Sequence, residues 1–163
     1  MNEAAPAIFV ALEASSLGAA IRQSSWVYMA ANVGHILSLM VFAGAIAVMD
    51  LRMIGAFSAT TPADILRASR RVAAIGLIAL AFTGAILFTA EASHVILNRV
   101  FQFKLGLIAL GLLNVALFEF MVAPVVKNYP ALTAMPAAAR AAGITSLVIW
   151  FAVAAAGRSI AYF

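Results

Sequence analysis

The chain has 163 residues, of which 66% are apolar and 10% charged, with a formal net charge of +4. A soluble domain is about 45–50% apolar, so a water-soluble enzyme is excluded, and the basic excess flanks apolar runs instead of forming a stripe, which argues against a nucleic-acid partner. The lack of cysteine rules out disulfides, thiolate metal centres, c-type haem attachment and iron–sulfur clusters.

At the N-terminus, Met1-Asn-Glu3 carries no basic leader and Glu13 interrupts the early apolar run. No secretory signal is expected, and the first span should act as its own insertion signal. Residues from about 5 to 22 are too few and too mixed to cross a bilayer comfortably. They predict an amphipathic helix lying in the membrane interface. Ser24 and Ser25 then offer capping oxygens for a first span over 26–49.

Three further apolar stretches follow at 72–90, 101–123 and 143–160. Each is close to the roughly 20 helical residues that a 30 Å hydrocarbon core requires. Thr61-Pro62-Ala-Asp64 combines a cap, a first-turn proline and a first-turn acid, and predicts a helix that runs into the second span. Met135-Pro136 predicts a similar start before the fourth. Trp26 and Tyr28 at one end, with Tyr162 and Phe163 at the other terminus, suit an aromatic belt. The expected fold is therefore an all-α membrane protein: a four-span up-and-down bundle with an interfacial N-terminal helix, forming a single domain. Gly34, Gly44, Gly76, Gly84, Gly106 and Gly111 are expected to let the helices approach closely.

Arg52, Arg67, Arg70, Arg71, Lys127 and Arg140 fall on one side of the membrane, and Arg22, Arg99, Lys104 and Arg158 on the other. The richer side is expected to be cytoplasmic, which would leave both termini facing outward.

Within the first span, Ala30, Gly34 and Ser38 form a small-residue ridge, and Asn32 and His35 lie beside it at helical spacing. His35 is expected to face the bundle. It is a candidate haem axial ligand, metal ligand or quinone contact, the alternative being a histidine hydrogen-bonded to Asn32, Asn114 or a backbone carbonyl. His94, at the outer end of the second span, is the second candidate ligand for one b-type haem or a metal, or else an interfacial residue beside Glu91. Arg158, with Arg22, Arg99 and Lys104, is placed to pair with haem propionates or to snorkel to lipid phosphate. Glu119 is the one acid within the third span, a proton or cation relay or the ion-pair partner of Arg140, Lys127 or Arg52. It is not expected to share a face with Asn114. Met29, Met40, Met49 and Met53 do not converge, so copper binding through thioethers has little support from spacing. No nucleophile, base and orienting acid form a catalytic set.

Ser24-Ser-Trp26-Val-Tyr28, His35 with Gly44, Asp50-Leu-Arg52-Met-Ile-Gly55, Asn98-Arg-Val-Phe101-Gln-Phe-Lys104 with Asn114, Arg140, Ser146-Leu-Val-Ile-Trp150, and Gly157-Arg158 through Tyr162 give a pattern spread over nearly the whole chain. In these motifs it resembles a bacterial family of four-helix inner-membrane proteins of unknown function. The Phe101, Lys104 and Asn114 stretch is also distantly similar to the membrane domain of CopD-type copper-resistance proteins. The first resemblance implies an inner-membrane location; the second raises copper handling as a third function. The family tends to carry a histidine after the residue equivalent to Phe118, where this chain has Glu119. The function classes left open are a haem b electron-transfer module using His35, and a non-catalytic subunit of a larger membrane complex. Either implies contact with lipid and with membrane or periplasmic proteins, as a homo- or hetero-oligomer.

Overall fold

The computed structural model describes residues 4–162, and in it the chain is a helical bundle without strands. Met1–Glu3 and Phe163, which carry the expected absence of a leader and part of the aromatic belt, lie outside the described residues.

In place of the single N-terminal helix expected there are two, α1 (Ala7–Ala14) and α2 (Ser16–Gln23). The break falls at Ser15, whose hydroxyl oxygen accepts a hydrogen bond from Gly18 N and so caps the second helix. Ser24 caps the long α3 (Ser25–Ile54) by accepting from Val27 N. The helix continues beyond the apolar stretch through Asp50 and Arg52, and ends at Gly55, whose φ of +123° is open to glycine but strained for other residues.

Thr61 caps α4 (Pro62–Ala90) by accepting from Asp64 N, with proline at the first position as expected. A short α5 (Ala92–Val95) leads to Asn98, whose side-chain oxygen accepts from Val100 N and Phe101 N to open α6 (Arg99–Leu117). The rod then widens into a π turn over Phe118–Val122 before α7 (Ala123–Val126). Pro124 accounts for the change: it has no N–H to give, and its ring crowds the carbonyl one turn earlier. The last long helix is α8 (Ala137–Ser159), followed by a single 3₁₀ turn over Ile160–Tyr162.

Four helical stretches, Ser25–Ile54, Pro62–Ala90, Arg99–Val126 and Ala137–Ser159, are long and apolar enough to cross a membrane. We call the end carrying α1, α2 and α5 the upper end, and the end carrying the α3–α4 and α7–α8 links the lower end. α3 is central, packing against α4 on one side and α8 on the other, while α6 packs on α8. The outer two of the row, α4 and α6, are bridged by side chains at their ends: Phe88 stacks on Phe101 above (ring centroids 5.6 Å apart), and Arg70 meets Glu119 below (2.7 Å). The main apolar cluster, including Phe42, Ile46, Met53, Leu66, Phe118 and Val126, lies in the lower half.

Glycine sets how closely these rods approach. A Cβ on Gly76 would meet the Phe42 backbone at 2.9 Å, and one on Gly143 would meet the Asp50 carbonyl oxygen at 2.9 Å. Gly34, Gly84 and Gly111 also abut neighbouring helices, whereas Gly44 and Gly106 face open space and contribute no such contact. Four of the six glycines expected to allow close helix approach therefore do so.

Candidate functional site

His35 lies half-buried between α3 and α4, as its position on the small-residue face implied. Its Nδ1 is 2.9 Å from the Thr83 hydroxyl, which is itself 2.7 Å from the Ala79 carbonyl oxygen. A hydroxyl has one proton, and the carbonyl can only accept it. The network therefore assigns Nδ1 as the protonated nitrogen, donating to Thr83 Oγ1, with a lone pair left on Nε2. The partners lie on α4, the Thr83 hydroxyl and beside it the Leu80 carbonyl, and are neither Asn32 nor Asn114. Gly84 lets the ring sit close, since a Cβ there would lie 3.3 Å from His35 Cε1.

Asn32 does not join this site. It is exposed, because a three-residue step leaves it about 60° round the helix from His35. Lys104 is half-buried on α6, and its ammonium lies against the upper end of α8, where a Cβ on Gly157 would come within 3.2 Å of Nζ. The glycine of Gly157-Arg158 makes the room for it.

His94 lies elsewhere. Thr83 marks the height of His35 on α4, and the helix climbs about 10 Å further to Ala90 before α5 begins. His94 is exposed on α5, near Glu13, while Glu91 accepts instead from the Tyr28 hydroxyl at 3.3 Å. The structure therefore does not bring the two imidazoles together. Arg158 is exposed at the upper rim, where it donates to the Tyr162 hydroxyl at 2.8 Å and lies over its ring. Arg22 is engaged by the carbonyls of Glu13 and Ala90, each at 2.8 Å. The Glu13 carboxylate accepts from both the hydroxyl and the backbone N–H of Ser93, which hold its pKa below the ordinary value.

The lower half holds polar residues that sequence reasoning did not bring together. Asp50 is buried (3% exposed) with Oδ2 unpartnered among the described residues. It lines a cavity of about 20 Å³, room for one water molecule, with Asn114, Ser146 and Glu119. Asn114 and Glu119, expected to be apart, meet at this cavity because the glutamate is long and the wider turn begins beside it. Asn114 also donates to the Ala142 carbonyl, tying α6 to α8. Glu119 pairs with Arg70, not with Arg140, Lys127 or Arg52. The Arg70 Nε–H is not aimed at the carboxylate, so this is an ion pair by proximity without an aligned hydrogen bond.

Arg52 is fully buried; Nε donates to the Thr60 carbonyl and both terminal nitrogens are unpartnered among the described residues. The signal was present in the sequence, two charges two residues apart inside an apolar helix end, but nothing local says that both are buried. Among the methionines, Met49 and Met53 are core residues, and Met29 and Met40 are exposed. Among the described residues no three histidine, aspartate or glutamate side chains cluster as a metal site.

No curated protein and no solved structure matches this chain. Residues 8–163 match DUF6644, a family of unknown function, and the chain belongs to that family.

Proposed function

We propose that this protein is a membrane-embedded electron-transfer module that holds one haem b through His35. The observation that carries this reading is the fixed imidazole, with Nδ1 held by Thr83 and Nε2 left with a lone pair. A metal-bound histidine usually donates its other N–H to an oriented acceptor in this way. Lys104 has no hydrogen-bond partner among the described residues, and with Arg158 above it offers cations for the haem carboxylates. Bound haem would supply a one-electron couple tuned by its axial ligand. The residues themselves would orient the ring, exclude water and compensate the carboxylate charge.

We place the lower end in the cytoplasm of a bacterial inner membrane, on the strength of its basic side chains. Both termini would then be periplasmic, and electrons would pass between an outer-face partner and quinone.

The test is a dithionite-reduced minus oxidised spectrum, with metal analysis, of protein purified from haem-replete cells. A sharp α-band with about one iron per chain, lost in His35→Ala and retained in His94→Ala, is expected. A flat spectrum without iron overturns the reading. Copper in place of iron would favour the third function instead.

A non-catalytic subunit of a larger complex is the second reading. It is favoured by wide apolar faces that include Trp26, Phe103, Phe120 and Phe151, at 64–82% exposed. These face lipid or neighbouring membrane helices.

A further inference from the structure

At the lower end the α3–α4 and α7–α8 links fold together around a pocket of about 250 Å³. Its walls include Arg52, Gly55, Ser58, Thr133 and Arg140. The links are joined by a hydrogen bond from Leu132 N to the Ser58 carbonyl at 2.7 Å. Phe57 (φ +52°) and Leu132 (φ +62°), on either side of that junction, occupy the left-handed region that bulky residues avoid. Such conformations persist where the surroundings enforce them.

Arg52 is the decisive feature. A guanidinium is always charged and carries five N–H donors. Here the residue is wholly buried in the pocket wall, with one nitrogen bonded to a carbonyl and the other two unpartnered among the described residues. Buried charge of this kind is costly without an acceptor. No acidic residue lines the pocket, and the neighbouring Asp64 is engaged with Thr61 at 2.6 Å. Arg140 adds a second, exposed cation at the pocket. α8 begins beside it at Pro136 without a side-chain cap, so its first N–H groups add positive potential.

We propose that this pocket binds a phosphate-type oxyanion, with Arg52 as the buried bidentate donor and Arg140 as the outer cation. The proposal is independent of His35. The position at the end of the membrane-crossing helices suits either a phospholipid headgroup or a free phosphate, which share this chemistry.

The experiment is calorimetric titration of the full chain in detergent, with inorganic phosphate and with dihexanoyl phosphatidic acid as separate probes and dihexanoylglycerol as the phosphate-free control. At least one phosphate probe should bind saturably. Arg140→Ala should weaken it about tenfold, the scale of one charge-assisted contact, without changing the melting temperature of the ligand-free protein. Arg52→Lys, which keeps the charge but not the fork, should weaken it as well. Comparable binding of both probes identifies the free anion as a ligand, and binding of the lipid probe alone identifies a headgroup. Saturation by neither, or an affinity unchanged in Arg140→Ala, overturns the proposal.

Discussion

The upper and lower halves of the bundle handle polarity in hydrocarbon in opposite ways. Above, apart from Lys104, polar groups are matched locally: Nδ1 of His35 to Thr83, Thr83 to its own helix, Glu13 to Ser93, and Arg22 to two carbonyls. Below, where the main apolar cluster is, Asp50 Oδ2 and the Arg52 terminal nitrogens are buried without partners among the described residues. A neutral imidazole can be satisfied by one hydroxyl and still present a nitrogen to a ligand. A buried ion cannot be satisfied so cheaply, and its unused capacity marks a place for water or an external ion. Unpartnered atoms are therefore the sharper pointer to a site, while the paired histidine needs its tautomer worked out first.

The largest expected effect tests the upper half. His35→Ala should abolish the haem α-band, and Thr83→Val should weaken haem binding about 10–100-fold, the usual scale for an orienting partner of a metal-bound histidine. If Thr83→Val leaves the spectrum and affinity unaltered, Thr83 does not orient the ring.

Glycine substitutions separate the halves next. Gly143→Ala drives a Cβ against the Asp50 backbone carbonyl, which cannot move freely. A loss of about 1–3 kcal/mol is expected, read as a lower melting temperature in detergent. Gly84→Ala meets only the His35 ring, a side chain that can turn. It should shift the haem spectrum while costing less than about 1 kcal/mol of stability. Equal destabilisation by both would erase the contrast between a rigid lower core and an adjustable upper site.

A smaller effect is expected for Glu119→Gln. The Arg70–Glu119 pair is more than a third exposed on its arginine side and lacks an aligned hydrogen bond. The stability change should stay within about 1 kcal/mol, and a larger one in chemical denaturation would show that the pair also holds α4 to α6.

The smallest is a pH effect at the upper rim. Ser93 holds the folded Glu13 carboxyl below its ordinary value of 4.5. Its contribution is complete above that value and is lost as pH falls through the lower folded pKa. Amide exchange over α1 and α2 should therefore quicken only on acidification below about pH 4.5, and in Glu13→Gln this acid-dependent step should vanish.

Much of the scaffold was legible because its causes are local. Ser24 and Thr61 do cap α3 and α4, and the apolar runs do form long helices. The inward position of His35 followed from its small-residue neighbours. Asn32 is exposed, since adjacency on a helical wheel does not say how far a neighbouring helix wraps round. The partner of Glu119 failed because Arg70 comes from a helix whose distance from α6 no spacing reveals.

What the sequence determined by itself is the membrane class, the four long helices, their starts and the basic bias of the lower end, since hydropathy, capping and charge placement add up along a continuous stretch of chain. Only the tertiary structure decided which polar atoms are left without partners. Arg52 is buried because the α3–α4 and α7–α8 links, some 70–80 residues apart in the sequence (for example Phe57 and Leu132), close over it. Asp50 is buried because Gly143 brings α8 against its carbonyl. The burial of a single side chain is fixed by whatever packs on it from elsewhere in the chain, and no local pattern records that.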